Sequence, residues 1–442
     1  MRFLNLEVPA FLGVLVVWGS FFSGCAGPEG DTPAKKPQEQ TATQPAEKPP
    51  GAPKAQPQVQ ATASADDVTA AQKLLEKLGP NAMHSLASDG RLTAITVLDG
   101  SVLSPPDIEL FGRLTDLEKL QIYNFRALND ELSAKLAGLK KLKSLALTNS
   151  IISDSTVKLI ADSFPHLKEL DLSYNTNLTN GALKEIARLT DLERLTLVQN
   201  RFNDLGTSHL AKLVRLRVLD LRGNMEAGDM TLEVVGQLPR LEVFKHRSST
   251  VSDYGVETLA QSKTLRSLLM QDFGITGQAG QTLAQMESLT ELEIFRCQGF
   301  TSDGVLALKG MKLTRLKLRD LPAIDDMAME VFDELPQLKR LELHELASVT
   351  DDGLAHLEAL KSLEVLDIWA IPQMTDATID VIVRLPRLKV LSVRTTGVTD
   401  AAVDKLLQAK NLQSLTFKDN GGVSADALKK LAQKKWAKLV ID

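Results

Sequence analysis

A six-residue pattern, L-x-x-L-x-L, returns at a nearly constant interval from Leu92 to the end of the chain. Neighbouring copies begin 24 or 25 residues apart, and fifteen copies can be counted. An interval kept over so many copies predicts one structural unit stacked along the chain, rather than the two or three globular domains that 442 residues would otherwise suggest. The first position falls at Leu92, Leu117, Leu142, Leu167, Leu192, Leu216, Leu241, Leu265, Leu289, Leu313, Leu338, Leu363, Leu388, Leu412 and Trp436.

The spacing inside one copy predicts a β-strand. Leu366 and Ile368 are two residues apart, so they point to one side of an extended chain, while Val365, Asp367 and Trp369 point to the other. The inward pair would fill a core, and the strands of neighbouring copies would pair into one parallel sheet. The 74 leucines, beside only 5% aromatic residues, are then explained as the core of the repeats.

The second half of each copy has the character of a helix. The segment Val349-Thr350-Asp351 places a hydroxyl and a carboxylate where a helix N-cap accepts from free amides, and Leu354 and Leu357 continue with helical spacing. The same cap pattern occurs at Val251-Ser252-Asp253 and Val398-Thr399-Asp400. Each copy is therefore predicted to be a strand followed by a helix.

The repeat resembles the leucine-rich-repeat family, whose coils of 20–29 residues read L-x-x-L-x-L-x-x-N/C-x-L. The resemblance covers residues 92–442 and implies an α/β horseshoe solenoid of about 15 coils, with a parallel β-sheet on the concave face and helices on the convex face. The helical half is similar to the cysteine-containing subclass known from F-box proteins and bacterial envelope proteins. The ninth position is polar or cysteine at Asn175, Asn200, Asn224, Cys297 and Asn420, and apolar at Leu321, Leu346 and Ile371.

The first 25 residues have the features of an export signal. Arg2 precedes an apolar stretch from Val8 to Phe22, which is short for a membrane span, and Ser23-Gly24-Cys25 follows. This ending resembles the lipobox of bacterial lipoproteins, which implies that Cys25 becomes an acylated N-terminus. Ala26 follows, where aspartate would retain a lipoprotein at the inner membrane, so the resemblance implies an outer-membrane location. An ordinary secretory signal with an incidental cysteine is the alternative.

Two further segments precede the repeats. Residues 26–65 hold eight of the 18 prolines and almost no large apolar residue, which predicts a disordered tether. Residues 66–91 are predicted to be a helical cap over the first coil, as solenoid ends require. Within this cap, an amphipathic helix is predicted from Val68 to Leu78, and a second short helix is predicted over residues 82–87. Residues 92–442 form the repeat domain.

Several classes of chemistry find no support in the sequence. With 51 Lys+Arg against 56 Asp+Glu, the chain lacks the basic excess of a nucleic-acid binder. His344-Glu345 begins like a zinc-metalloprotease helix, but Ser348 stands where the second histidine belongs, so neither a metal nor a cofactor is expected. We interpret His246, at an inward position, as a satisfied buried histidine, and Cys297 as structural. An enzyme that uses His344 in an irregular active site is a minor alternative.

The outward strand positions of the concave face carry the candidate binding site. The last such position is mostly cationic or aromatic from Arg222 to Lys418, and arginine and tryptophan are the residue types most enriched at binding hot spots. An acidic row lies beside it, including Glu342, so arginine–acid pairs that satisfy each other are the alternative interpretation. The candidate residues, called here the cation–aromatic row, are Arg222, Arg247, Phe295, Arg319, His344, Trp369 and Arg394.

Together these patterns predict a non-enzymatic protein of the bacterial envelope. It would be held to a membrane by a lipid on Cys25 and would bind a protein or peptide on its concave face. A glycan or cell-wall polymer that stacks on the aromatic rings is the alternative ligand. No nucleic-acid partner is expected.

Overall fold

The structure is a computed structural model that describes residues 63–441. The predicted signal peptide and Cys25 lie outside the described residues, as does the predicted tether apart from its last three residues. Within the described range, no helix combines the length and the apolar character needed to cross a membrane.

The repeats build one sheet of sixteen strands whose spatial order is their order in the chain. Strands β2 to β16 are parallel, and β1 pairs antiparallel with β2. The strands are β1 Ala82–Leu86, β2 Leu92–Val97, β3 Lys119–Ile122, β4 Ser144–Leu147, β5 Glu169–Asp171, β6 Arg194–Thr196, β7 Val218–Asp220, β8 Val243–Arg247, β9 Ser267–Gln271, β10 Glu291–Phe295, β11 Arg315–Arg319, β12 Arg340–His344, β13 Val365–Trp369, β14 Val390–Arg394, β15 Ser414–Lys418 and β16 Lys438–Ile441.

One α-helix precedes the sheet, and the others of the described chain lie between consecutive parallel strands. The α-helices are α1 Ala65–Leu78, α2 Pro105–Arg113, α3 Asp130–Ala134, α4 Asp154–Ser163, α5 Asn180–Ile186, α6 Asp204–Thr207, α7 Asp229–Gly236, α8 Asp253–Leu259, α9 Gln278–Leu283, α10 Ser302–Leu306, α11 Asp326–Met329, α12 Asp351–Leu354, α13 Asp376–Ile382, α14 Asp400–Gln408 and α15 Ala425–Gln433. Short 3-10 turns extend several of them, at Lys135–Gly138, Ser208–Lys212, Glu330–Glu334 and Ala355–Ala359.

The predicted alternation is confirmed in most strands, although in β12 the outward residues Glu342 and His344 are buried as well. Leu366 and Ile368 in β13 are fully buried, whereas Val365, Asp367 and Trp369 are partly exposed, and the same pattern holds in β8 to β11. The buried side chains form one continuous hydrophobic core along the described part of the chain. Each strand contributes two inward side chains. Because the strands recur at a regular interval, these pairs stack from coil to coil into a continuous core.

The N-terminal cap agrees with the sequence only in part. Helix α1 is present, with Ser64 as its N-cap, but the second helix predicted over residues 82–87 is wrong. Residues 82–86 are strand β1, in which Ala82 pairs with Val97. After Gly79, which adopts a positive φ of 55°, the chain runs back along the edge of the first coil. The pairing satisfies backbone groups that the edge of β2 would otherwise expose.

The asparagines at the ninth position form a ladder of amides. The Nδ2 of Asn175 donates to the carbonyl oxygens of Leu147 (2.8 Å) and Leu172 (2.9 Å), and its Oδ1 accepts from the amide of Ser150. Asn224 donates in the same way, to Leu197 and Leu221. The three apolar residues at this position, Leu321, Leu346 and Ile371, are fully buried, so the ladder is interrupted there.

The helix caps join neighbouring coils as well as starting helices. Thr350 accepts from the amide of Asp352, which confirms the predicted N-cap. In addition, the first helical residue of one coil accepts from the cap of the next: Asp351 receives the amide of Thr375 at 2.9 Å and its hydroxyl at 2.5 Å. The same link runs from Asp376 to Thr399. These bonds tie consecutive coils together at the starts of their helices.

Both buried groups that the sequence assigned to structure have that role. His246 is fully buried, and its ring nitrogens lie 3.2 Å from the carbonyl oxygen of Leu221 and 2.8 Å from that of Ala227. Burial lowers the pKa of His246, which favours the neutral ring. Cys297 is also fully buried, and burial raises the pKa of its thiol to about 12, so it is not a nucleophile at neutral pH.

Candidate functional site

The candidate site lies on the face of the sheet that the helices do not cover, called here the open face. Strand register places the row side by side: Phe295 pairs with Arg319, Arg319 with His344, His344 with Trp369, and Trp369 with Arg394. Five consecutive strands, β10 to β14, therefore supply one contiguous strip. Neighbouring members are about 4.8 Å apart, the usual separation of paired strands.

Aromatic rings and guanidinium groups alternate along this strip. The Arg319 guanidinium lies 4.4 Å from the ring centre of Phe295 and 5.1 Å from that of Trp369. Arg394 lies 5.4 Å from the Trp369 ring, and Arg296 lies 4.7 Å from the Phe295 ring. Each distance is within the range in which a cation is attracted to the face of a ring. The stack holds the long arginine side chains in place before any ligand arrives.

Each arginine of the cation–aromatic row also contacts a carboxylate. Arg319 Nε donates to Glu345 at 2.8 Å, and Arg394 Nη2 donates to Asp367 at 3.1 Å. Arg222 forms a bidentate pair with Asp220, with contacts of 3.0 and 2.7 Å. The mutual satisfaction that the sequence left open is thus present. These pairs still leave donors for a ligand, because both terminal nitrogens of Arg319 lack a hydrogen-bond partner among residues 63–441.

Asp272 connects the two halves of the row. It accepts from Arg247 Nε at 2.5 Å and from Arg296 Nε at 2.6 Å. Burial acts to raise its pKa, but the hydrogen bonds and charges of the two arginines outweigh that effect and lower it. On the N-terminal side of this bridge, Arg222 and Arg247 line a cavity of about 150 Å³ together with Tyr174.

His344 occupies its predicted position but is not a surface residue. Its side chain is only 5% exposed and meets the Trp369 ring edge-on, with ring centres 5.7 Å apart. Nε2 lies 3.2 Å from an Asp367 oxygen, yet neither ring nitrogen makes a hydrogen bond within the described range. The large neighbouring side chains cover the imidazole. His344 therefore packs against Trp369 and offers little exposed surface to a ligand on the open face.

Glu342, His344 and Asp367 bring their potential ligand atoms within 4.8 Å of one another, as a metal site would require. The cations around them oppose that use, because Glu342 already pairs with Arg340 at 2.7 Å and with Lys317 at 3.0 Å. Burial acts to raise the pKa of Glu342, but these charges outweigh it and bring the pKa to about 2. A divalent ion would have to displace positive charges that are already well placed.

Sequence reasoning missed the residues that follow each strand. Asp272, Arg296 and Glu345 each have a positive φ, between 53 and 59°, and each contacts a member of the row. The same conformation recurs at this position in most coils, in residues as different as Tyr174 and Ala370. The repeat interval could have located the position, but only the left-handed conformation turns its side chain towards the open face.

Comparisons with known proteins identify the architecture. No family model matches the sequence, and no curated protein matches it. Among solved structures, an internalin from Listeria monocytogenes is similar over 86% of this chain and 95% of its own, with a TM-score of 0.52 and 20% sequence identity. A chain of the Rad7–Elc1 complex from yeast is similar over 85% of this chain and 87% of its own, with a TM-score of 0.52 and 21% identity.

The fold is a leucine-rich-repeat solenoid. Fifteen parallel strands in chain order, each followed by a helical segment or by the end of the chain, match the α/β architecture expected from the sequence. At about 20% identity the likeness concerns the fold alone.

Proposed function

We propose that this chain is a non-enzymatic binding protein that docks a protein or peptide segment on the open face of its solenoid, between Phe295 and Arg394. The observation that carries the proposal is the alternating stack in which Arg319 lies between the rings of Phe295 and Trp369.

The stack has the properties of a preorganised binding surface. Arg319 is held by two rings and by Glu345, and its side chain is 31% exposed. Little rotamer entropy remains to be lost when a partner binds, which is a common source of affinity. The unpaired terminal nitrogens of Arg319 can donate to backbone carbonyls or carboxylates of an extended segment.

The same geometry favours a peptide over a glycan. A sugar ring stacks on a free aromatic face, but guanidinium groups from β11 and β14, on either side of Trp369, already lie over its ring. Phe295 likewise has Arg319 and Arg296 over its ring. The surface therefore offers a ligand the arginine donors and the edges of the rings. One of the similar solved structures is a complex of Rad7 with another protein, Elc1, which fits a protein-binding use of this fold.

A double variant, Arg319→Ala/Trp369→Ala, tests the site in the full chain. It removes the centre of the stack, and truncation of two hot-spot side chains is expected to weaken capture of partners from envelope extract by about thirtyfold or more. Circular dichroism checks the fold. The matched control is Tyr254→Ala/Arg387→Ala, which removes one exposed aromatic and one exposed arginine elsewhere. Equal capture by the wild type and the double variant would remove the open face as the binding site.

The glycan alternative has its own measurement. A glycan ligand would be favoured if the full chain is retained on purified wall polymer but not on envelope proteins. The double variant should then lose that retention. No retention on wall polymer is the result that the occupied ring faces of Trp369 predict.

We further propose that the protein is anchored in the bacterial envelope, in the outer membrane, by a lipid on Cys25. The support is sequence alone: the apolar stretch that ends in Ser23-Gly24-Cys25, followed by a proline-rich segment that would let the solenoid work away from the membrane. Cys25→Ala is expected to abolish metabolic labelling with a radioactive fatty acid. Persistent labelling of the variant would contradict the lipobox.

A further inference from the structure

A second cavity lies away from the cation–aromatic row, along the edge of the solenoid where the strands begin. It has a volume of about 710 Å³ and is lined by residues of consecutive coils. Its lining is dominated by five cations, and we call it the cationic groove: Arg215, Arg217, Arg240, Lys263 and Arg266.

The repeat explains why these side chains meet. Arg215 and Arg217 flank Leu216, Arg240 precedes Leu241, and Arg266 follows Leu265, so each lies one to three residues before its coil's strand. The three leucines open consecutive coils, whose strands β7, β8 and β9 are paired neighbours. Cations placed at equivalent points of three coils therefore lie along one edge, with the spacing of paired strands.

The positive charge of the groove is only partly compensated. Glu242 forms a bidentate pair with Arg217, at 2.9 and 3.0 Å, and Arg215 pairs with Asp191 at 2.5 Å. The other acid of the lining, Glu193, is paired with Lys168 at 3.0 Å.

Three cations of the lining have no such partner. In the described part of the chain, the side chains of Arg240, Lys263 and Arg266 make no ion pair and no hydrogen bond, and all three residues are exposed. Three uncompensated cations thus share one cavity.

We propose that the cationic groove binds a chain of phosphate groups. Guanidinium forks match phosphate oxygens in a bidentate geometry, and four of the five cations are arginines. A cleft lined by one sign of charge concentrates its field on an incoming anion. The chain as a whole carries a net charge of −5, so a polyanion would be attracted here by the local arrangement rather than by the protein's overall charge.

The proposal is tested by calorimetry, which measures the affinity of the full chain for short-chain inorganic polyphosphate. The triple variant Arg240→Ala/Lys263→Ala/Arg266→Ala removes the three unpaired cations and is expected to weaken binding about tenfold or more. The matched control, Lys361→Ala/Arg387→Ala/Lys410→Ala, removes the same charge from later coils, outside the groove, with Arg387 at the repeat position of Arg240 and both lysines at that of Lys263. It is expected to change affinity less than about twofold. Equal losses in the two triple variants would overturn the groove as a site.

A gain of affinity provides a test that a folding defect cannot imitate. Glu242→Gln releases Arg217 from its pair and removes a negative charge from the lining, so polyphosphate should bind several-fold more tightly. Unchanged or weaker binding by this variant would contradict the proposal.

Two further arms separate this site from its alternatives. Poly-glutamate offers carboxylates at similar charge density, and affinity equal to that for polyphosphate would overturn the phosphate assignment. The open-face variant Arg319→Ala/Trp369→Ala leaves the groove intact and should keep full polyphosphate affinity. Loss of that affinity would contradict an independent site.

Discussion

Glu342 shows how one carboxylate can organise a crowded part of the open face. It lies in β12, and the cations around it come from β11 and from β12 itself. It accepts from Arg315 at 3.1 Å and from Arg340 at 2.7 Å, while Lys317 lies 3.0 Å away. Without it, three partly exposed cations would lie close together on this surface. The carboxylate is 3% exposed, so its charge is weakly screened and its influence on these neighbours is strong.

The pKa of Glu342 makes stability depend on pH. In the folded protein this pKa is about 2, below the usual value of 4.5, so the unfolded chain takes up the proton first as the pH falls. The resulting stabilisation is complete above about pH 5, is on the order of 3 kcal/mol, and is lost as the pH falls towards 2. We therefore expect the difference in urea midpoint between the wild type and Glu342→Gln to shrink steadily from pH 5 to pH 3. A difference that stays constant over this range would contradict the assigned pairing.

Individual residues differ in how far the sequence could predict them. The buried role of His246 followed from its inward position in the strand, which the repeat interval fixes. His344 stands at an outward position, and its burial depends on the size and rotamers of Trp369 and Arg319 on neighbouring strands. The partner of Arg319 was equally hidden, because Glu345 follows its strand in a left-handed conformation that its residue type does not demand.

At the scale of elements, the links between helix caps give each coil a polar attachment to the next. Asp351 accepts from the amide and hydroxyl of Thr375 and also from the hydroxyl of Thr378, all in the following coil. Equivalent bonds run from Asp204 to Thr231 and from Asp229 to Ser252. The helices of most coils are only one or two turns long, so capping and contacts between coils, rather than helix length, stabilise them.

Removal of one cap link should destabilise the solenoid measurably. Asp351→Ala leaves the Thr375 amide and two hydroxyls without their acceptor and is expected to cost about 1–3 kcal/mol in the free energy of unfolding. The control is Asp352→Ala, the next residue of the same helix, which is exposed and whose side chain makes no hydrogen bond within residues 63–441. Both variants lose a carboxylate near the helix N-terminus, so urea unfolding isolates the link. Equal destabilisation by the two would show that the link contributes nothing.

The elements themselves were largely predictable, with one informative error. Among the described residues the repeat strands occur fifteen times and the helices between them fourteen times, so weak local preferences are reinforced by their periodicity. Residues 82–86 lie outside the repeat and have no such reinforcement. Their conformation as β1 is decided by the adjacent unpaired edge of β2, a tertiary influence that a short segment cannot reveal.

At the scale of the whole molecule, the order of the strands follows directly from the repeat. Each strand of about five residues or fewer pairs with the strands of the preceding and following coils, so position in the chain becomes position along the sheet. Residues 24 or 25 apart therefore become neighbours. This rule predicted which side chains form the row on the open face, and it would also have placed the cations of the groove together. What it could not supply is the pairing of each charge, which depends on contacts between side chains of different coils.

The open face and the cationic groove are two surfaces of one solenoid with different chemistry. On the open face each row arginine contacts a carboxylate and the aromatic rings are framed by guanidinium groups, whereas the groove keeps three cations without partners. The first suits a peptide that exchanges specific hydrogen bonds, and the second suits a polyanion. Variants in one surface should leave the ligand of the other unaffected.

Hydroxyl-radical footprinting of the full chain, alone and with a captured protein partner, tests most directly whether the open face binds. Trp369 and Trp436 are both partly exposed, but Trp436 lies near the last strand, where Lys434 covers its ring at 4.5 Å. Binding on the open face predicts that oxidation of Trp369 and Phe295 slows in the complex while that of Trp436 does not change. Unchanged oxidation of Trp369 and Phe295 in a saturated complex would contradict it.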